Sequence, residues 1–129
     1  MTPPYVMDSS AWLEFYRGNK EVYTLVIDQL RKREIIVPSI CIYEVALAIE
    51  RSVGEDLVKV AVANMREQKV DDLTATSAVA LAHFRSERSL AMADAIVYAS
   101  TLAHNATLIT FDTDFKGLPN VHYIKQLAH

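Results

Sequence analysis

Four acidic residues are candidates for chemistry, two because their neighbours are apolar and two because they follow predicted strands. They are Asp8, Glu44, Asp94 and Asp112. Asp94 is the clearest case, because residues 91–97 are otherwise all apolar and no Lys or Arg lies within a helical turn of it. A buried carboxylate costs free energy unless another group pairs with it. The partner of Asp94 must therefore come from a distant part of the chain or be a bound cation.

Glu44 is in a similar position. It lies in the apolar segment 40–47, and its nearest basic neighbour, Arg51, is seven residues further along the chain. Ion pairs on a helix join residues three or four positions apart, so no such pair neutralises this acid. Glu44 also needs a partner from elsewhere in the fold.

The chemistry of these acids depends on whether they meet. Carboxylates that converge without a basic residue among them repel one another, and each raises the pKa of the others. A hard divalent cation removes this repulsion, and an all-oxygen set of ligands suits Mg²⁺ or Mn²⁺. Such an ion can activate a bound water and neutralise charge on a phosphoryl group. Hydrolysis of a phosphodiester is therefore the reaction class that these residues favour.

The segments around the acids predict alternating strands and helices. Short, largely apolar or β-branched segments at 5–7, 35–37, 107–110 and 121–124 have the character of strands, and residues 70–73 are a further plausible short strand. Helical patterns fill most of the chain between them. This alternation is typical of an α/β fold. It predicts three layers, α/β/α, around a mainly parallel sheet of four to five strands.

In a parallel sheet, the loops that follow the strands open at one edge. Asp8 directly follows the first predicted strand, and Asp112 and Asp114 follow the strand at 107–110. We expect these three acids at that edge, with Glu44 and Asp94 reaching it from helices.

Interpretations that need no functional site exist for Asp8 and for the adjacent pair Asp71 and Asp72. Ser9 or Ser10 is predicted to cap the first helix, but Asp8 could equally be a helix N-cap with no further role. Asp71 and Asp72 are adjacent in a predicted strand, where side chains alternate between faces. We therefore expect them at an edge or a turn and not in a shared site.

Composition limits the class of protein. The 129 residues suffice for one domain with a single core, and we expect residues 1–129 to form it. Hydrophobic residues make up 51% and charged residues 22%, which is ordinary for a globular chain. The net charge of −3 neither supports nor opposes a nucleic-acid substrate.

The sequence carries no sign of export. Cys41 is the single cysteine, so the chain has neither a disulfide framework nor a cysteine zinc site. The N-terminus lacks the pattern of a signal peptide, and no apolar run is long enough to span a bilayer. We expect a cytoplasmic protein without a membrane segment.

Four blocks of this sequence resemble the PIN domain family, and most closely the VapC-type toxic ribonucleases of prokaryotic toxin–antitoxin pairs. The blocks are VMDSSAWLE at 6–14, VPSICIYEV at 37–45, SLAMADAIVYASTLA at 89–103 and LITFDTDF at 108–115. One block alone is weakly specific. Their order and spacing together make the resemblance specific, and it extends over nearly the whole chain.

This resemblance implies a Mg²⁺- or Mn²⁺-dependent endoribonuclease that cuts single-stranded or loop RNA. The catalytic and metal-binding acids of the family fall on Asp8, Glu44, Asp94 and Asp112, and Asp114 matches a further acid often found near the metal. Hydroxyls that orient carboxylates would come from Ser10 and Thr110. The family also implies a homodimer that a small antitoxin protein silences.

Three other functions fit parts of the sequence. A PIN-like domain could bind RNA or protein with weak or no nuclease activity, and a structure-specific DNA nuclease uses a related acidic site. The short chain argues against the DNA nuclease. A phosphorylation-receiver domain would need adjacent acids after the first strand, where only Asp8 stands.

Two further groups have open interpretations. Arg85 and Arg88 are surface charges by default, with facing the acidic site as the alternative. Trp12, Phe15 and Tyr16 could form a partner or dimer surface, although core packing is the expectation for at least two of them.

Overall fold

Strands and helices alternate along the chain in the computed structural model, which describes residues 2–127. The strands are β1 (Tyr5–Met7), β2 (Ile36–Pro38), β3 (Lys69–Asp71), β4 (Thr107–Thr110) and β5 (Val121–Tyr123). The helices are α1 (Ser9–Tyr16), α2 (Lys20–Arg31), α3 (Ser39–Ser52), α4 (Glu55–Arg66), α5 (Ala75–Ser86) and α6 (Met92–Ala103). A 3₁₀ turn at Thr113–Phe115 follows β4.

The five strands form one parallel sheet in the order β3-β2-β1-β4-β5. β1 lies at its centre, with Val6 opposite Ile36 of β2 and Met7 opposite Ile109 of β4. The outer pairs, β2 with β3 and β4 with β5, are also parallel. The predicted α/β fold is confirmed, with five strands and every described pair parallel.

The direction of the connections produces the layers. The chain moves outward from β1 through β2 to β3, and then returns across the sheet to β4. Parallel crossovers are right-handed, so the reversal places α5 and α6 on the face opposite to α1 to α4. The predicted three-layer α/β/α arrangement is therefore confirmed.

The two central strands are apolar on both faces because helices cover both faces. Val6, Met7, Leu108 and Ile109 have no exposed surface. Trp12 is also fully buried and stacks on Tyr16, with 5.9 Å between ring centroids. Phe15 and Tyr16 are half-buried and pack against the same core. All three aromatic residues of α1 thus belong to the core, as expected for at least two of them.

Local backbone signals explain several element boundaries. Thr74 caps α5 by accepting from the backbone N–H of Ser77 at 3.1 Å. Asn105 has a φ of 51°, which allows the tight turn between α6 and β4. The strands predicted at 35–37 and 70–73 are instead 36–38 and 69–71, since apolar runs do not fix the paired residues.

Asp71 lies in the edge strand β3, as expected. It accepts a hydrogen bond from Ser100 Oγ at 2.5 Å, and it is separate from the acidic group at the centre of the sheet. Within residues 2–127, none of the helices combines the length and apolar character needed to cross a membrane.

Candidate functional site

The centre of the sheet contains a point where the chain connections diverge. From β1 the chain leads to β2 on one side, and from β4 it leads to β5 on the other. Such a switch point leaves a crevice at the carboxyl ends of the two strands, where open α/β sheets bind ligands. Asp8 directly follows β1, and Asp112 lies two residues beyond the end of β4. The strand order therefore brings both acids to one crevice.

Asp8 is almost fully buried, with 5% of its surface exposed. Its Oδ1 accepts from Ser10 Oγ at 2.6 Å and from the Ala11 backbone N–H at 3.0 Å. Its Oδ2 accepts from Thr110 Oγ1 at 2.5 Å. Three donors thus hold the carboxylate in one orientation and stabilise its charged form.

The structure identifies Asp8 as the N-cap of α1. The prediction that Ser9 or Ser10 caps this helix was wrong. The backbone at Asp8 is still extended where β1 ends, so its carboxylate can reach back to the Ala11 N–H. Asp8 therefore caps the helix and also lies in the crevice, which combines two interpretations that the sequence left as alternatives.

Ser10 and Thr110 join the loops that follow β1 and β4. Besides donating to Asp8, the Ser10 hydroxyl accepts from the Phe111 backbone N–H at 3.0 Å. The Thr110 hydroxyl accepts from the Asp112 backbone N–H at 2.9 Å. Both hydroxyls donate to Asp8, and both accept from the backbone of the loop that follows β4. The position of Asp112 is linked to that of Asp8 through these bonds.

Asp94, Asp112 and Asp114 form the tightest acidic group. Each offers a carboxylate oxygen, and the three oxygens lie within 4.8 Å of one another. Asp94 is in the first turn of α6, and Asp112 caps the 3₁₀ turn by accepting from the Asp114 backbone N–H at 2.9 Å. The resemblance implied that Glu44 is one of four metal-binding acids and that Asp114 is a further acid near the metal. In the structure, Asp114 lies within this tight group and Glu44 lies outside it.

Glu44 is half-buried beside the same crevice. Burial raises the pKa of its carboxyl, a hydrogen bond from the Ser9 side chain lowers it, and the charges of Asp8 and Asp112 raise it. α3 therefore brings Glu44 close enough to interact electrostatically with acids that follow β1 and β4.

Burial and neighbouring charges also raise the pKa of Asp94, to about 6. Desolvation is the largest cause, followed by the charges of Asp112, Asp114, Asp8 and Glu44. The pKa of Asp8 is raised by burial despite its three hydrogen bonds, and Asp112 adds to the rise. All five acids thus lie in one electrostatic neighbourhood.

No basic side chain neutralises this neighbourhood in the part of the chain that is described. The ion pairs among residues 2–127 involve Glu14, Glu87 and Asp71, and none of the five acids. Oxygen donors from four separate parts of the fold, with excess negative charge, fit a hard divalent cation. The donor set is equally suited to Mg²⁺ and Mn²⁺.

Sequence reasoning missed the contribution of Ser9. Its side chain bonds to Glu44, whereas Ser10 bonds to Asp8 and Phe111. Consecutive residues on a helix point about 100° apart, so the two serines reach different neighbours. Once a helix is assumed to begin after Asp8, this angle could have indicated that the serines differ in role. It could not have identified α3 as the neighbour of Ser9.

Comparisons with known proteins agree with this architecture. The sequence matches the family model described as PIN domain over residues 5–121. None of the curated proteins matches the chain.

Three solved structures illustrate the likeness in fold. A chain of a toxin–antitoxin complex from Klebsiella pneumoniae has a TM-score of 0.72 at 22% identity, covering 93% of this chain and 99% of that one. VapBC2 from Rickettsia felis, bound to a DNA fragment from its promoter, has a TM-score of 0.71 at 17% identity, covering 93% and 96%. VapC20 from Mycobacterium tuberculosis, a toxin that cleaves the sarcin–ricin loop, has a TM-score of 0.66 at 16% identity, covering 89% and 95%.

Proposed function

The chain belongs to the PIN domain family, and we propose on this premise that it is a metal-dependent endoribonuclease. In this proposal it is the toxin component of a type II toxin–antitoxin pair and hydrolyses phosphodiester bonds of RNA. The observation that carries the proposal is the convergence of five acids at the switch point of the sheet, where no described basic side chain pairs with them.

The proposed ligands of the metal come from four places in the fold. Asp94, Asp112 and Asp114 would hold the ion most directly, since their oxygens already lie within 4.8 Å of one another. Asp8 and Glu44 complete the acidic surroundings. A bound Mg²⁺ or Mn²⁺ would supply an activated water and neutralise the charge that develops on the phosphoryl group.

The protein's own residues do the positioning. Ser10 and Thr110 hold the Asp8 carboxylate in one orientation, and Thr110 also fixes the backbone of Asp112. Ser9 bonds to Glu44. One of the four family acids, Asp8, Glu44, Asp94 or Asp112, would also orient the attacking water. Because these groups are fixed before substrate arrives, little reorganisation is needed during the reaction.

The similar structures support the biological setting of this activity. Two of them are toxin–antitoxin assemblies, and a third is described as a toxin that cleaves the sarcin–ricin loop. By analogy we propose RNA as substrate, a small antitoxin protein as inhibitor, and a homodimer. Exposed apolar side chains such as Leu57 and Val60 on α4 are consistent with a protein partner.

The proposal also includes a cytoplasmic location, which a single cysteine favours. We further propose that residues 1–129 form one PIN-like domain.

Cleavage assays with a matched control test this function. Purified protein is incubated with total RNA and with single-stranded DNA, in Mg²⁺, Mn²⁺ or EDTA, and the cleavage ends are mapped. Asp94→Asn removes one acid of the site. Asp28→Asn makes the same change on the exposed surface of α2.

We expect RNA cleavage that requires metal, is abolished by Asp94→Asn and is unchanged by Asp28→Asn. Cleavage of DNA alone would identify a DNA nuclease. Binding of RNA without cleavage in either metal would identify a binding domain with a silent site. Either result would overturn the proposal.

A further inference from the structure

A cleft of about 390 Å³ lies beside the acidic group, between the turn that joins α5 to α6 and the 3₁₀ turn after β4. Arg88 and Ser89 line it on one side, and Asp114 lines it on the other. Leu90, Leu118 and Pro119 provide apolar surface between them. The lining of this cleft thus includes both a basic residue and one acid of the proposed metal site.

Arg88 does not neutralise the acids across this cleft. Its only ion pair among the described residues is with Glu87, at 4.0 Å, the weak limit for such a contact. Its guanidinium lies over the Phe84 ring at 4.1 Å from the centroid, which supports one face of the group and leaves its edge donors available. A guanidinium held in this way is suited to bind a phosphate with two parallel hydrogen bonds.

Arg85, on the same helix, has a different role. Its Nε donates to the Leu90 backbone carbonyl at 3.2 Å, which ties the α5–α6 turn to the end of α5. Arg85 therefore shapes the turn, whereas Arg88 lines the cleft. From the sequence, Arg85 and Arg88 had the same two interpretations, and the structure assigns them different contacts.

We propose that this cleft holds one nucleotide of single-stranded RNA, with its phosphate bound by Arg88 beside the acidic group. The inference rests on the proposed function and assigns the substrate-binding side of the same site. The size of the cleft is in the range of small-ligand sites. Its apolar surface suits a sugar or base, and its charged end suits the phosphate.

Two measurements on the same variants test the inference. Fluorescence anisotropy in EDTA, where no cleavage is expected, follows binding of an unstructured single-stranded RNA of about 12 nucleotides, a length within the usual range of single-strand sites. Initial rates with Mn²⁺ follow cleavage of the same RNA. The variants are Arg88→Gln, Arg88→Lys and the control Arg66→Gln, which makes the same charge change on the exposed end of α4.

We expect Arg88→Gln to weaken RNA binding roughly fivefold or more, and to reduce the slope of log affinity against log salt by about 0.7, the value for one phosphate contact on a single strand. Arg88→Lys keeps the charge and retains most of the slope. Arg66→Gln matches the wild type. In the cleavage assay, Arg88→Gln raises KM and leaves kcat within about twofold of the wild type, because it removes binding that substrate and transition state share.

Several results would overturn the inference. Equal affinity and salt slope for Arg88→Gln and Arg66→Gln would do so, as would a wild type that binds no RNA. A lower melting temperature for Arg88→Gln without a change in salt slope would show a structural role only. A different result would overturn the proposed function and leave this inference intact. In that case the wild type would bind RNA in a manner that depends on Arg88, but would not cleave it in the presence of metal.

Discussion

Thr110 donates a hydrogen bond to Asp8 at 2.5 Å across 102 positions of sequence. The bond joins the carboxyl ends of the two strands that meet at the switch point. Thr110 also accepts from the Asp112 N–H at 2.9 Å. One hydroxyl thus sets the distance between the loops that carry two of the five acids.

Replacement of Thr110 by Val keeps the side-chain shape and removes the hydroxyl. We expect Thr110→Val to lower the free energy of unfolding by about 1–3 kcal/mol, because the buried Asp8 carboxylate and the Asp112 N–H each lose a partner. RNA cleavage should fall with it, since Asp8 is less firmly held. Urea denaturation and initial rates measure the two effects. Thr24→Val on the exposed face of α2 is the control, and equal effects of the two variants would contradict the role given to Thr110.

Removal of one repelling charge should stabilise the protein when no metal is bound. In EDTA at neutral pH, we expect Asp94→Asn to raise the free energy of unfolding slightly, by less than about 1 kcal/mol, because a half-buried carboxylate remains screened by solvent. The same variant should lose RNA cleavage. Denaturation in EDTA beside Asp28→Asn makes the comparison. A clear loss of stability for Asp94→Asn would mean that its carboxylate has a stabilising partner within the protein.

The stability of the metal-free protein should depend on pH through Asp94. Its pKa is about 6 in the folded protein, against an ordinary value of 3.8 for an aspartate. The folded state therefore holds this proton more tightly than the unfolded state, so the stabilisation is complete below about pH 4 and is lost as the pH rises through about 6.

The pH effect is measured as a difference between two proteins. We expect the stability advantage of Asp94→Asn over the wild type, in EDTA, to be smallest near pH 4 and to grow until the pH is above about 6. The pKa values of Asp8 and Glu44 are raised too, so they act with the same sign. A constant difference between the two proteins over this range would exclude a raised pKa at Asp94.

Asp114 should contribute to metal binding as much as Glu44 does. Its oxygen lies within 4.8 Å of those of Asp94 and Asp112, and Glu44 is outside that group. A ligand at about 100 times its Kd stabilises the folded state by about 2.7 kcal/mol, so added Mn²⁺ should raise the Tm of the wild type. We expect Asp114→Asn to reduce this rise at least as much as Glu44→Gln. Asp72→Asn, at an exposed position after β3, is the control.

If Asp114→Asn instead retained the full Mn²⁺ response while Glu44→Gln lost it, the metal would lie closer to α3 than the carboxylate geometry indicates. Both variants should retain the stability of the wild type in EDTA, since each loses a negative charge from an acidic region.

Much of the architecture is encoded locally and could be predicted from the sequence. Apolar runs at 5–7 and 107–110 coincide with β1 and β4, and Asn105 supplies the positive φ of the turn before β4. Burial of a short strand and the conformation of a turn depend on neighbouring residues, so the sequence carries these signals directly. Glu44 and Asp94 could also be singled out from the sequence, because their neighbours along the chain are apolar and an acid in such surroundings needs a partner.

The arrangement of the site depended on contacts between distant residues. The sequence alone could not show that Asp114 lies closer than Glu44 to the pair Asp94 and Asp112, or that Arg88 and not Arg85 lines the cleft beside Asp114. Strand order decides which loops are neighbours, and the angle of each side chain around its helix decides which loop it reaches. Both are set only when the sheet and its covering helices pack together, which is why the residue types were predictable and their roles required the tertiary structure.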